Sequence, residues 1–148
     1  MRTLLLALAV LTSIAGCDGN STQEIRLEIA ESPSSAFPNA VNCGNAAPLR
    51  QLAANDRSRV GQSRSDHERI WVGSRANFRA TLAVIADLKC RVTHAEADDA
   101  LKPAFEAARK AEATDSAYEK TRRFNEANFA ATRAVELLTE RLVAPGAK

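Results

Sequence analysis

The chain has 148 residues, with 20 Lys and Arg against 18 Asp and Glu, a formal net charge of +2 and a hydrophobic fraction of 45%. That length holds one domain with a real core and is short for two. A near-neutral balance with only 5% aromatic residues supplies neither the electrostatic footprint nor the stacking platform of a nucleic-acid binder, so no nucleic-acid partner is expected.

Residues Leu4 to Ile14 form an apolar run interrupted only by Thr12 and Ser13, with Arg2 before it and the small Ala15 and Gly16 behind it. The run is too short for a hydrocarbon core about 30 Å thick, which takes about 20 apolar residues. A basic start, a short apolar stretch and small residues before a cut describe a secretory signal. A soluble N-terminal helix is the alternative in the residues alone. The tetrapeptide Ile14-Ala15-Gly16-Cys17 resembles the lipobox of bacterial lipoproteins. The resemblance implies cleavage before Cys17, a diacylglycerol on its thiol and acylation of the new amino terminus. Cys17 would then be the first mature residue and the membrane anchor. Several acyl chains, at about 0.8 kcal/mol per buried CH₂, hold a protein stably. The address implied is the bacterial cell membrane, facing the periplasm. Asp18 resembles the signal that keeps lipoproteins in the inner membrane of some bacteria.

Residues 18–42 read as a tether. Asp18-Gly19-Asn20-Ser21-Thr22 and Ser32-Pro33-Ser34-Ser35 are too polar to bury a core. Between them, Glu24 to Ile29 alternates polar and apolar residues, a strand signal. Cys43 and Cys90 remain once Cys17 carries lipid. An even pair in an oxidising compartment favours a disulfide over two buried thiols, and neither has a second ligand at CxxC spacing for a metal.

Four helices follow. The first is expected from Ala46 to Val60, with Asn45 as cap, Pro48 in its first turn and Gly61 at its end. Leu49, Leu52, Ala53 and Val60 form its apolar face. The second starts at Ser65, whose spacing to Glu68 is that of a capping box. It runs about 26 residues, carrying Trp71, Phe78, Ile85 and Val92 at intervals of seven, with Ser74, Leu82 and Leu88 between. Cys90 lies off that stripe, beside Val72, Ala76, Ala83 and Ala86. A bridge to Cys43 would therefore pin the N-terminal segment near the C-terminal end of this helix. The third helix is capped by Thr93 or by Asp99, the latter leaving Pro103 in the first turn, and carries Leu101, Phe105 and Ala108. The fourth carries Ala117, Thr121, Phe124, Asn128, Ala131, Val135, Leu138 and Leu142. The two stripes are out of phase, which a break near Thr114–Ser116 reconciles. One unbroken helix with two apolar sides is the alternative. The fold class expected is all-α, an antiparallel helical bundle or a long helical hairpin. The division is signal 1–16, lipidated cysteine and tether 17–42, helical domain 43–144 and tail 145–148.

Chemistry-bearing constellations are sparse. His67 sits between Asp66 and Glu68, and His94 precedes Glu96, Asp98 and Asp99, but neither pattern is a metal or haem motif. No GxSxG is present, and the acidic residues interleave with Lys and Arg as solvated helix faces do. No catalytic residue, metal, cofactor or small-molecule ligand is expected. From Arg50 to Arg91 the basic residues outnumber the acidic ones, including Arg57, Arg59, Arg64, Arg69, Arg75 and Arg79. This run is a solvated face or a contact surface for an anionic partner. Trp71 and Phe78 are core, or an apolar stripe for a partner helix. Trp71, Phe78, Arg64, Arg69, Arg75 and Arg79 are thus the candidate partner-binding residues. The function expected is an envelope lipoprotein acting as a helical adaptor for a protein partner. The alternative is a small inhibitory or protective lipoprotein of the immunity, exclusion or enzyme-inhibitor kind.

Overall fold

A computed structural model describes residues 41–144. The expected signal, the expected lipidation site Cys17, the strand pattern read at Glu24–Ile29 and the tail from Pro145 lie outside the described residues.

Four helices make up the domain: α1 (Ala46–Val60), α2 (Asp66–Lys89), α3 (Ala95–Glu112) and α4 (Ala117–Val143), preceded by one 3₁₀ turn at Cys43–Asn45. Among the described residues there is no strand. Side-chain partners fix the directions. Asp56 of α1 meets Arg75 of α2 while Arg50 meets Asp87, so α1 and α2 run antiparallel. Phe78 meets Phe105 while Lys89 pairs with Asp98, so α2 and α3 are antiparallel too. Phe78 also meets Phe124, and Thr81 donates to Asn128 Oδ1, so α2 and α4 are parallel. The result is an up-down-up-down bundle in which α2 packs on both α1 and α4, and α3 packs on α4.

Local chemistry explains the boundaries. Ser65 Oγ accepts from Glu68 N–H, as capping-box spacing predicts. The return bond differs: the Glu68 carboxylate accepts from Arg64 N–H, one residue earlier than a reciprocal box requires. The helix is 24 residues long, and Val92 lies beyond it. Asn45 stands at the cap position of α1 without a side-chain capping bond, whereas Asn42 accepts from Gly44 N–H and caps the 3₁₀ turn. Helix α3 starts one residue after the place a Thr93 cap would set and five before that of Asp99, with His94 at the cap position. Pro103 is therefore in the helix interior. It has no N–H for the Asp99 carbonyl, a loss tolerated where both residues face solvent. The joint between α3 and α4 is a true break. Ser116 leaves the helical region, its Oγ accepting from Glu119 N–H and its own N–H donating to Thr114 Oγ.

The core is made of thin side chains around a few large ones. Phe78, Phe105 and Phe124 meet at its centre, Phe78 edge-on to Phe105 with centroids 6.3 Å apart. Leu49, Leu82, Ile85, Leu101 and Leu138 surround them, and alanines such as Ala86, Ala97, Ala104, Ala127 and Ala134 let the helix backbones approach closely. The stripe read on α2 is thus core. On α4 the stripe holds at Phe124, Ala131 and Leu138 and is broader than read, because Ala127, Ala134 and Leu137 are buried as well.

Cys43 and Cys90 form a disulfide with Cα atoms 4.7 Å apart, closing a sequence separation of 47 residues. Cys90 is the residue that ends α2. The bridge brings the N-terminal segment across that helix end, as the position of Cys90 beside Ala83 and Ala86 implies. Val41, which falls in the tether by composition, is fully buried in the core, so the packed domain begins before Cys43.

Candidate functional site

Two features stand out from an otherwise ordinary bundle: a charged knot inside one end, and three exposed apolar side chains set among ion pairs on the outer face of α4.

The knot lies about 22 Å along α2 from the disulfide, at 1.5 Å per residue between Arg75 and Cys90. Asp56 is only 2% exposed and Arg75 3%. Asp56 sits on α1 in register with Leu49, Leu52 and Ala53, and so points inward with them. Its carboxylate accepts from Arg75 Nε at 3.0 Å and Nη2 at 2.7 Å, a bidentate pair, and from Arg79 Nη1 at 2.6 Å. Arg75 Nη1 reaches Glu112 at the end of α3, at 3.3 Å. The Arg75 guanidinium also lies 4.9 Å from the centre of the Trp71 ring, and so does Lys120 Nζ of α4. All four helices therefore meet in one cluster: Asp56 from α1, Trp71, Arg75 and Arg79 from α2, Glu112 from α3 and Lys120 from α4.

The chemistry of this cluster is closed. Two guanidiniums face two carboxylates, and each edge of Arg75 is taken. Burying an ion pair gives little net stability against a well-packed apolar replacement, but leaving one partner alone is costly. The knot therefore ties the four helices together at one end of the bundle. This corrects the reading of Arg75, Arg79 and Phe78 as partner-binding residues. Phe78 is 2% exposed in the core. Arg75 and Arg79 are turned inward by Asp56, and Trp71 is half-buried under two cations. Arg64 and Arg69 are exposed at the start of α2, Arg69 in an ion pair with Asp66. The excess positive charge read along residues 50–91 thus divides between an internal network and a solvated helix end.

The second feature is the outer face of α4, which the sequence reading passed over. Tyr118, Phe129 and Val143 are 71%, 82% and 75% exposed. Their spacings, eleven and fourteen residues, bring them within about 40° of one another at 100° per residue, opposite the buried Phe124, Ala131 and Leu138. Around them run ion pairs. Arg122 bonds Glu119 and Glu126, Arg123 bonds Glu126, and Arg133 bonds Glu136. The hydrogen bond from Arg122 holds the Glu119 carboxyl below its ordinary range. The same bond raises Arg122, and that to Glu136 raises Arg133. The signal was available: two aromatics eleven residues apart lie on one helical face, on the side away from the core stripe.

His67 is exposed in the first turn of α2, and His94 caps α3 beside an open cleft lined by Val41, Cys43, Lys89 and Asp98. Among the described residues, no three His, Cys, Asp or Glu side chains form a group that could hold a metal ion. No described helix is long and apolar enough to cross a membrane. Comparison with family models, curated proteins and solved structures yields no match.

Proposed function

We propose that this protein is a lipid-anchored adaptor of the bacterial cell envelope, tethered through Cys17 and presenting the outer face of α4 to a protein partner. One observation carries the docking half of this reading. Phe129 sits at the middle of the longest helix, 82% exposed, in line with Tyr118 and Val143. Leaving a large apolar side chain such as Phe129 in water forgoes about 1.5–3 kcal/mol that burial against a partner would return. The anchoring half rests on the resemblance of Ile14-Ala15-Gly16-Cys17 to a lipobox. The disulfide supports the exported address, because structural disulfides persist in oxidising compartments.

Two measurements test the reading. Metabolic labelling with a fatty-acid analogue should mark the full chain and fail on Cys17→Ala, which should also retain its signal. A photo-crosslinking residue at position 129 should give adducts in intact cells that the same residue at Val84, exposed on α2, does not. A labelled Cys17→Ala chain refutes the anchor; absence of adducts at 129 refutes the docking face.

A further inference from the structure

The occupant of the α4 face can be specified from its charges. We infer that it is the same face of a second copy, packed antiparallel about Phe129. This rests on the reading of that face as a docking surface and goes beyond it.

Antiparallel pairing centred on Phe129 places each residue opposite the one equally far on the other side. Phe129 then meets Phe129 of the second copy. Arg122 lies opposite Glu136, seven residues to either side, and the same pair recurs by symmetry. Tyr118 lies opposite Glu140, a hydroxyl donor against a carboxylate, and Asn125 opposite Arg133. Glu126 falls beside Arg133 on the diagonal. Arg122 thus meets an anion and Arg133 an amide, beyond the ion pairs each makes within its own helix. A parallel pairing would instead stack Arg122 on Arg122 and Glu136 on Glu136, like against like. The strip is self-complementary in one direction only, which is the property of a two-fold isologous interface.

The geometry also fits the fold. This face points away from α2 and α3, the two helices on which α4 packs, so a second α4 can approach without disturbing the core. Helix α4 spans Ala117–Val143, with 27 residues, or about 40 Å. Phe129 is near its midpoint, which leaves contact on both sides. Small apolar content makes the contact weak in dilute solution. Confinement to one membrane surface would raise the effective concentration.

The test uses the full chain in its own membrane, with single cysteines added and oxidative crosslinking read on non-reducing gels. Phe129→Cys should give a crosslinked dimer. Arg122→Cys alone should not, because its counterpart lies about 21 Å away in the antiparallel pair. Co-expressed Arg122→Cys and Glu136→Cys chains should crosslink to each other. Arg122→Glu should lower the Phe129→Cys dimer about tenfold, and adding Glu136→Arg should restore it. Dimer from Phe129→Cys no greater than from Val84→Cys overturns the inference. So does Arg122→Cys crosslinking as readily as Phe129→Cys, which would mean parallel packing. Photo-adducts at position 129 with a different protein, or with lipid, and no homodimer also overturn it. A different-protein adduct leaves the docking reading intact; no adduct of any kind removes both.

Discussion

Replacing Asp56 by alanine removes the one carboxylate shared by Arg75 and Arg79. Three charge-assisted hydrogen bonds, of 3.0, 2.7 and 2.6 Å, disappear together. Arg75 is 3% exposed, so water cannot replace its lost partner without opening the bundle. Breaking one side of a buried pair costs about 3–5 kcal/mol, against a total of about 5–15 kcal/mol for a domain. With a urea slope of about 1.5 kcal/mol per molar, the midpoint should fall by about 2–3 M. Trp71, the only tryptophan, lies beside Arg75 and reports the region by fluorescence, while far-UV circular dichroism reports the helices. A second variant isolates the cause. Asp56→Leu with Arg75→Met removes both ends of the bidentate pair and fills the space with apolar atoms. Arg79, nearer the surface, can turn to solvent, and the double variant should recover most of the loss. A midpoint within about 0.3 M of wild type for Asp56→Ala would show that solvent screens the knot. A double variant as weak as the single one would show that lost packing, not a stranded charge, is responsible.

Four further outcomes are expected. Gly73→Ala should stabilise the domain by about 0.5–1 kcal/mol in urea unfolding, because the added methyl meets no atom within 4 Å and the helix gains propensity. Replacing Cys43 and Cys90 by serine opens a 47-residue separation and should cost up to about 4 kcal/mol. Amide exchange should quicken around residues 41–48, and unchanged exchange there would mean that the buried Val41 holds the segment unaided. Phe129→Ser should leave the unfolding midpoint within about 0.5 kcal/mol of wild type, as expected of an exposed site. The Glu119 carboxyl should titrate below the ordinary glutamate range by NMR and return towards it in Arg122→Ala. Since its folded value is depressed, its contribution is present above the unfolded value and lost as acid drives the pH through the folded one. Stability falling on alkalinisation across that interval would contradict the sign.

Much of the architecture was readable before any coordinates, for reasons that differ between elements. Helix α2 was legible because Ser65 and Glu68 mark its start and large apolar residues recur every seven. The disulfide was legible from cysteine parity and from the off-stripe position of Cys90. The start of α3 was legible to within one residue from Thr93 but not from Asp99, because His94 stands at the cap without a side-chain bond and Pro103 is tolerated inside the helix, against its usual placement. Asp56 was the main loss. It falls on the same α1 face as Leu49 and Leu52, where a lone carboxylate carries no apolar periodicity. Had it been taken as buried, a buried arginine partner would have followed as a requirement, and the α2 arginines would not have been read as surface. Phe129 is hidden for the opposite reason: the periodicity of α4 marks the inward stripe at Phe124, Asn128 and Ala131, and an aromatic off that stripe adds nothing to that period.

The disulfide has a mechanical consequence. Tension applied to the chain before Cys43 does not travel through α1. It crosses the sulfur bridge to Cys90 and continues into Arg91 and the link to α3. Helices α1 and α2 lie inside the covalent ring and carry none of the pull along their own backbone. Without the bridge, the first element strained would be Val41 and then α1, which would peel from α2 one turn at a time and drag Asp56 off Arg75. With it, the load arrives at the C-terminal end of α2 and bypasses both helices of the ring. Under force the oxidised domain should therefore yield at α3 and α4 with a short extension, and the reduced one at α1 with a longer one.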